Sequence, residues 1–304
     1  MLPFVERGHA DRLGLNEREL AILAASHSGS RMHLELVTGL LARIGLGPEH
    51  LACGYHDPMD AQSLEDLRQD PSRRTALYNN CSGKHAGMLA FCVAEGWPVA
   101  GYETPAHPLQ QLLLRTVAEC CGVAPSEVLL GVDGCSLPVF GLPLATMASG
   151  YARFAHAIAV GGDLRARSLQ RIGRAMASHP VVVEGEGRLA TDLMLATEGR
   201  IVAKSGAEGL LLVADPSRGD LLPTVITDDL LVVERAMRAV ETAIERNVPG
   251  IAGIHIGCTG IIDFRGATEK MAEIALAKQP SSEVHTAEEA RAFERSGDVT
   301  KVVT

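Results

Sequence analysis

From Ser30 onward the apolar residues Met32, Leu36, Val37, Leu40, Leu41 and Ile44 recur three and four positions apart and stop at Gly45. That period predicts an amphipathic helix with one buried stripe. Ahead of it, Asn16 to Ala25 (NERELAILAA) places an asparagine and two glutamates before an apolar run, so a short helix capped by Asn16 is expected, leading into SHSGS. Similar reasoning predicts helices from about Ser82 to Glu95, from Pro108 to Cys121, and at roughly 138 to 156 and 163 to 178. Residues 53 to 75 are polar and proline-punctuated, which suits a loop with one short helix. PVVVEGEGRLATDLMLAT, beginning at Pro180, reads as a glycine-punctuated loop entering another short helix.

Strand patterns are fewer and come later. EVLLGVDGCSLPVFGLPL, from Glu127, predicts a short buried strand and a glycine-rich turn that holds Asp133 and Cys135. RIVAKSGAEGLLLVAD, the turn PSRGD and LLPTVITDD together predict an antiparallel pair or a three-strand meander. A long helix is expected from about Leu230 to Arg246, and a polar tail over 279–304. Helices first and antiparallel strands later point to an α+β fold with helices packed on a sheet, forming one domain over 1–278.

Composition narrows the function classes. A net charge of −9 over 304 residues argues against a general nucleic-acid binder, which needs clustered lysine and arginine. MLPFVERGHADRLGL has no basic segment followed by a long apolar core, so no signal peptide is expected, and no apolar run is long enough to span a membrane. The seven cysteines are odd in number and scattered, which suits a reducing cytoplasm better than a disulfide framework.

Three stretches could carry chemistry. Lys204 in AKSGAEG has the Lys-[Ser/Thr]-Gly pattern that lines acyl-transfer sites, although on that motif alone a surface lysine before a strand turn explains it more simply. Ser26 in AASHSGS would be a nucleophile if a neutral lysine took its proton; otherwise it belongs to the polar start of the next helix. YNNCSGKHAGML puts Cys81, Lys84 and His85 at a helix start, where the dipole favours a thiolate. With Cys135 as a second thiol, and His85 or Asp133 beside it, a zinc site competes evenly with a buried cysteine under a structural helix start.

Taken in order, ADRLGL, ASHSG with His33 after it, NNCSGKHAGML, GVDGCSLPVFGLPL, RLATDLM and KSGAEG resemble the asparaginase II family, the Rhizobium-type zinc-containing L-asparaginases, from Leu2 to about Gly266. The resemblance implies a serine β-lactamase/glutaminase-like fold, an antiparallel sheet flanked by helices, and a homodimer. It implies hydrolysis of L-asparagine to L-aspartate and ammonia in the cytoplasm, with no nucleic-acid or membrane partner. Residue by residue, it implies Ser26 and Lys204 as a catalytic pair, Zn2+ held by Cys81, Lys84 and Cys135, and Asp133 and His85 lining the substrate site.

Two departures matter. Lys-Ser-Gly stands where the family more often has Lys-Gly-Gly, and family members carry an earlier segment with β-strands and a Ser-x-x-Lys that this chain lacks. The expectation is therefore an N-terminally truncated family member. Its rivals are an inactive zinc-binding or amino-acid-binding remnant, and an amidohydrolase that prefers glutamine. A single methylene distinguishes those two amides and is worth about 1–3 kcal/mol in a pocket.

Overall fold

Helices dominate the computed structural model, which describes residues 1–206, 210–216, 224–226 and 255–257. In chain order they are α1 (Leu2–Glu6), α2 (His9–Arg12), α3 (Glu17–Leu23), α4 (Arg31–Arg43), α5 (Ala61–Gln69), α6 (Ser82–Glu95) and α7 (Pro108–Cys121). A hairpin, β1 (Leu129–Val132) and β2 (Pro138–Gly141), leads to α8 (Leu144–Val160), α9 (Leu164–Ser178), α10 (Pro180–Val183) and α11 (Leu189–Ala196). Strands β3 (Val202–Ser205), β4 (Leu211–Ala214), β5 (Thr224–Ile226) and β6 (His255–Gly257) follow. The chain divides into two units: Met1–Leu142 with Val160–Glu186, and Pro143–Ala159 with the residues from Gly187 onward.

In the first unit, local sequence sets the helix ends. Asn16 accepts from the Glu19 N–H at 2.9 Å while Glu19 accepts from the Asn16 N–H at 3.0 Å, a reciprocal cap that starts α3. At α4 the same role falls to His33, whose Nδ1 accepts from the Ser30 N–H at 3.2 Å. Gly96 and Gly122 end α6 and α7 in the left-handed conformation, at φ 68° and 74°. Helix α3 lies at the centre, in contact with α4, α6, α9 and α10, and Leu20, Ala21 and Ile22 on it are fully buried. Gly83 of α6 faces it so closely that a Cβ there would stand 2.3 Å from the Ile22 carbonyl oxygen.

The hairpin departs from expectation twice. Leu129 and Val132 are 74% and 77% exposed, so β1 is a surface strand rather than a buried one. Residues from Pro138, expected to be helical, instead pair with β1 in the register Val132↔Pro138 to Leu129↔Gly141. The cause is the intervening turn. The Asp133 N–H donates to the Leu137 carbonyl at 2.8 Å and the Ser136 N–H to the Asp133 carbonyl at 2.9 Å, with Ser136 at φ 71°. The chain is thus returned along β1, and the helix starts only at Leu144.

In the second unit β3 and β4 form the expected antiparallel pair, with Lys204 opposite Leu212, and α11 packs on β3. The expected meander is corrected at β5, which pairs in parallel with β6. Parallel neighbours need a crossover of about a dozen residues or more, and the chain between these strands is long enough to supply one. The architecture is α+β, with the described strands in three two-stranded ladders. The helix expected from Leu230 to Arg246 and the tail 279–304 lie outside the described residues. No helix among those described is long and apolar enough to cross a membrane.

Candidate functional site

Cys81 sits immediately before α6 and is held there by Asn79, a buried residue whose Oδ1 accepts the Cys81 N–H at 2.9 Å. The other end of the same amide donates to the Cys53 carbonyl, also at 2.9 Å. One helical turn on, the His85 N–H donates to the Cys81 carbonyl at 3.0 Å, which places Lys84 and His85 in the first turn of α6. The β1–β2 turn brings Asp133 and Cys135 to this helix start. Ligand atoms of Cys81, Asp133 and Cys135 all lie within 4.8 Å of one another. Lys84 Nζ stands 3.7 Å from Asp133 Oδ2, and Cys135 Sγ donates to the same oxygen at 3.4 Å.

Charge is unevenly shared within the cluster. The hydrogen bond from Cys135 lowers the Cys81 thiol to about 7, against the effect of burial and with help from the Lys84 ammonium. Cys135, as the partner that keeps its proton, is pushed up to about 12 by that same hydrogen bond and by burial. Burial alone would lower Lys84, but Cys81, Cys135 and Asp133 together outweigh it and raise it. Near neutral pH Cys81 is therefore about half thiolate beside the Lys84 ammonium, while Cys135 keeps its proton.

His85 adds a donor or acceptor that is not used. The ring is fully buried, Nδ1 lies 2.5 Å from the Tyr102 hydroxyl oxygen, and Nε2 has no hydrogen-bond partner among the described residues. The ring does favour the Cys135 thiolate, but without meeting hydrogen-bond geometry, so Nε2 stays unpaired. A buried orphan nitrogen costs about 1–3 kcal/mol and calls for a ligand. The two thiols, the carboxylate and the lysine amine of the cluster form a donor set that suits Zn2+.

Ser26 is half-buried in the loop between α3 and α4 of the same unit. Its N–H donates to the Val183 carbonyl at 2.9 Å, and the His27 N–H donates to Asn80 at 3.0 Å, so the loop abuts the turn that precedes Cys81. A Cβ on Gly185, at φ 120°, would stand 2.3 Å from Ser28 Oγ, which reserves that position for glycine. His27 and His33 stack at 4.8 Å behind the loop, and His27 Nε2 lies 2.9 Å from Ser82 Oγ. Lys204 belongs to the second unit, on β3, where its Nζ donates to the Ser205 carbonyl.

The structure thus gathers Cys81, Lys84, His85, Asp133 and Cys135 in one place, with Ser26 in the same unit and Lys204 in the other. Sequence reasoning passed over Asn79, His27 and Tyr102. Asn79 gives a weak signal, as a turn-forming residue two before Cys81. Tyr102 gives none, since its role depends on a contact across 17 residues.

Comparison with known proteins yields two findings. The sequence model of a family described as L-asparaginase II matches residues 1–227. Over a 60-residue alignment, covering 16% of this chain, the sequence is 45% identical to N-acetylgalactosamine-6-phosphate deacetylase of Shewanella sp. (strain ANA-3). The chain spans 15% of that relative's length.

Proposed function

The chain belongs to the L-asparaginase II family, and from that premise we propose that it is an amidohydrolase converting L-asparagine to L-aspartate and ammonia. In this reading Ser26 Oγ attacks the side-chain carboxamide carbon and gives its proton to a neutral Lys204. That proton leaves with the amine as ammonia, and water then cleaves the resulting ester to free aspartate. Cys81, Lys84 and Cys135 hold Zn2+, while Asp133 and His85 face the substrate. When bound, the ion supplies a fixed positive charge that orients the substrate and the groups around it. A serine β-lactamase-like fold, a cytoplasmic location and a homodimer belong to the same proposal.

One observation supports it above the others: the only unpaired buried side-chain nitrogen or oxygen among the described residues, His85 Nε2, is on the ring that acts on Cys135, a member of the thiol, lysine and carboxylate cluster. The test is ammonia release from L-asparagine. Ser26→Ala and Lys204→Met should each reduce it by about 100-fold or more, the scale of losing an acid–base partner. The double variant should be little worse than either, because the pair acts as a unit. Additive losses would place the two residues in separate roles. Binding of L-asparagine without turnover would instead favour an amino-acid-binding protein.

A further inference from the structure

Tyr102 lies between α6 and α7 and is 1% exposed. Its backbone is pinned by the buried Gln110, whose Nε2 donates to the Tyr102 carbonyl at 2.8 Å. Its hydroxyl oxygen accepts the Ala52 N–H at 2.9 Å and stands 2.5 Å from His85 Nδ1. An amide N–H can only donate, so the phenol's single proton remains to be placed. Among the described residues its one acceptor is His85 Nδ1. A proton on Nδ1 would make the phenol oxygen accept twice and leave its own proton buried without an acceptor, at about 1–3 kcal/mol. Burial, the largest influence on this phenol, also keeps the hydroxyl protonated and able to donate.

We infer that Tyr102 is a positioning residue: it fixes His85 as the Nε2–H tautomer, so that the ring presents a buried N–H donor, and not a metal-binding lone pair, near Cys135. The Nε2–H is then a donor that lies near Cys135 with no acceptor at hydrogen-bonding geometry among the described residues. On the proposed function, which this half of the inference rests on, its acceptor is an oxygen of the amide substrate. His85 is thereby distinguished from the zinc-holding residues next to it, although imidazole is a common zinc ligand.

The test is nitrogen–proton correlation NMR of the histidine rings in the zinc-loaded full chain at neutral pH. His85 should show a protonated Nε2 and an unprotonated Nδ1. A proton on Nδ1, or a metal-bound Nε2, would overturn the inference without reference to activity. Tyr102→Phe should abolish the single-tautomer pattern and raise KM for L-asparagine about tenfold with zinc content retained, as expected for one lost hydrogen bond. His85→Gln, which keeps an N–H donor, should recover part of what His85→Ala loses. A retained single tautomer in Tyr102→Phe would overturn the role of the tyrosine. An altered tautomer with unchanged KM would overturn the substrate half. Absence of ammonia release by the unmodified chain would fail the functional reading alone, and the ring spectrum would still decide the tautomer.

Discussion

At Lys84, burial and neighbouring charge pull in opposite directions, and charge wins: the amine stays an ammonium against its thiolate and carboxylate neighbours. A metal held by Cys81, Lys84 and Cys135 must displace the protons of Lys84 and Cys135, so uptake should release protons and weaken on acidification. Two displaced protons make zinc affinity fall about 100-fold per pH unit, and below the Cys81 thiol's value of about 7 a third proton steepens the fall. Competition with a chromogenic chelator between pH 7.5 and 5.5 checks this, and a flat profile would exclude thiolate ligation. His33 makes a separate residue-scale prediction. Burial lowers this histidine below its ordinary 6.5, opposed by its hydrogen bond to Val181 and by Asp60. The unfolded chain therefore takes up a proton that the native ring refuses. Stability should be full above pH 6.5 and decline below it, by at most about 1.4 kcal/mol per pH unit until the native ring titrates. In urea unfolding at pH 7.5 and 5.5, His33→Gln should be less stable overall but show a shallower pH slope.

Among the elements, α4, α6 and α7 were legible because apolar spacing and the glycine that follows each helix agree there. The hairpin was not. VLLGV satisfies a buried-strand pattern as written, and the apolar residues after Pro138 fit a helix as well as a strand. What decides between them is the Asp133–Leu137 turn, a tertiary detail that periodicity does not carry. Gly83 tests the opposite case, where packing overrides propensity. In an exposed helix interior, glycine to alanine gains about 0.5–1 kcal/mol. Here the added Cβ would meet the Ile22 carbonyl oxygen at 2.3 Å, so α6 must shift away from α3. Gly83→Ala should therefore destabilise the protein by about 1–3 kcal/mol, read as a lower urea midpoint. A raised midpoint would mean that the two helices do not approach this closely.

Over the whole molecule, the chain separates what sequence spacing can place from what only the fold assembles. Cys81, Lys84 and His85 share one helix turn and were grouped from spacing alone. Asp133 and Cys135 come from more than forty residues away, and before the structure they were joined to that turn only by the chemistry of a second thiol and by the family resemblance. Tyr102 was invisible at both levels. The surface carries its own consequence, because Leu129, Leu130, Val132 and Val139 leave an apolar hairpin 74%, 48%, 77% and 46% exposed. An uncovered apolar ladder is an association hazard. Light scattering should show mass rising with protein concentration, and Val132→Lys should suppress the rise; equal behaviour of the two proteins would clear the hairpin. The central claim, that the residues gathered at the start of α6 hold a metal, is tested most directly by zinc content per chain after dialysis at neutral pH. The account predicts close to one zinc in the unmodified protein and far less in Cys135→Ala. Unchanged zinc in that variant would contradict it.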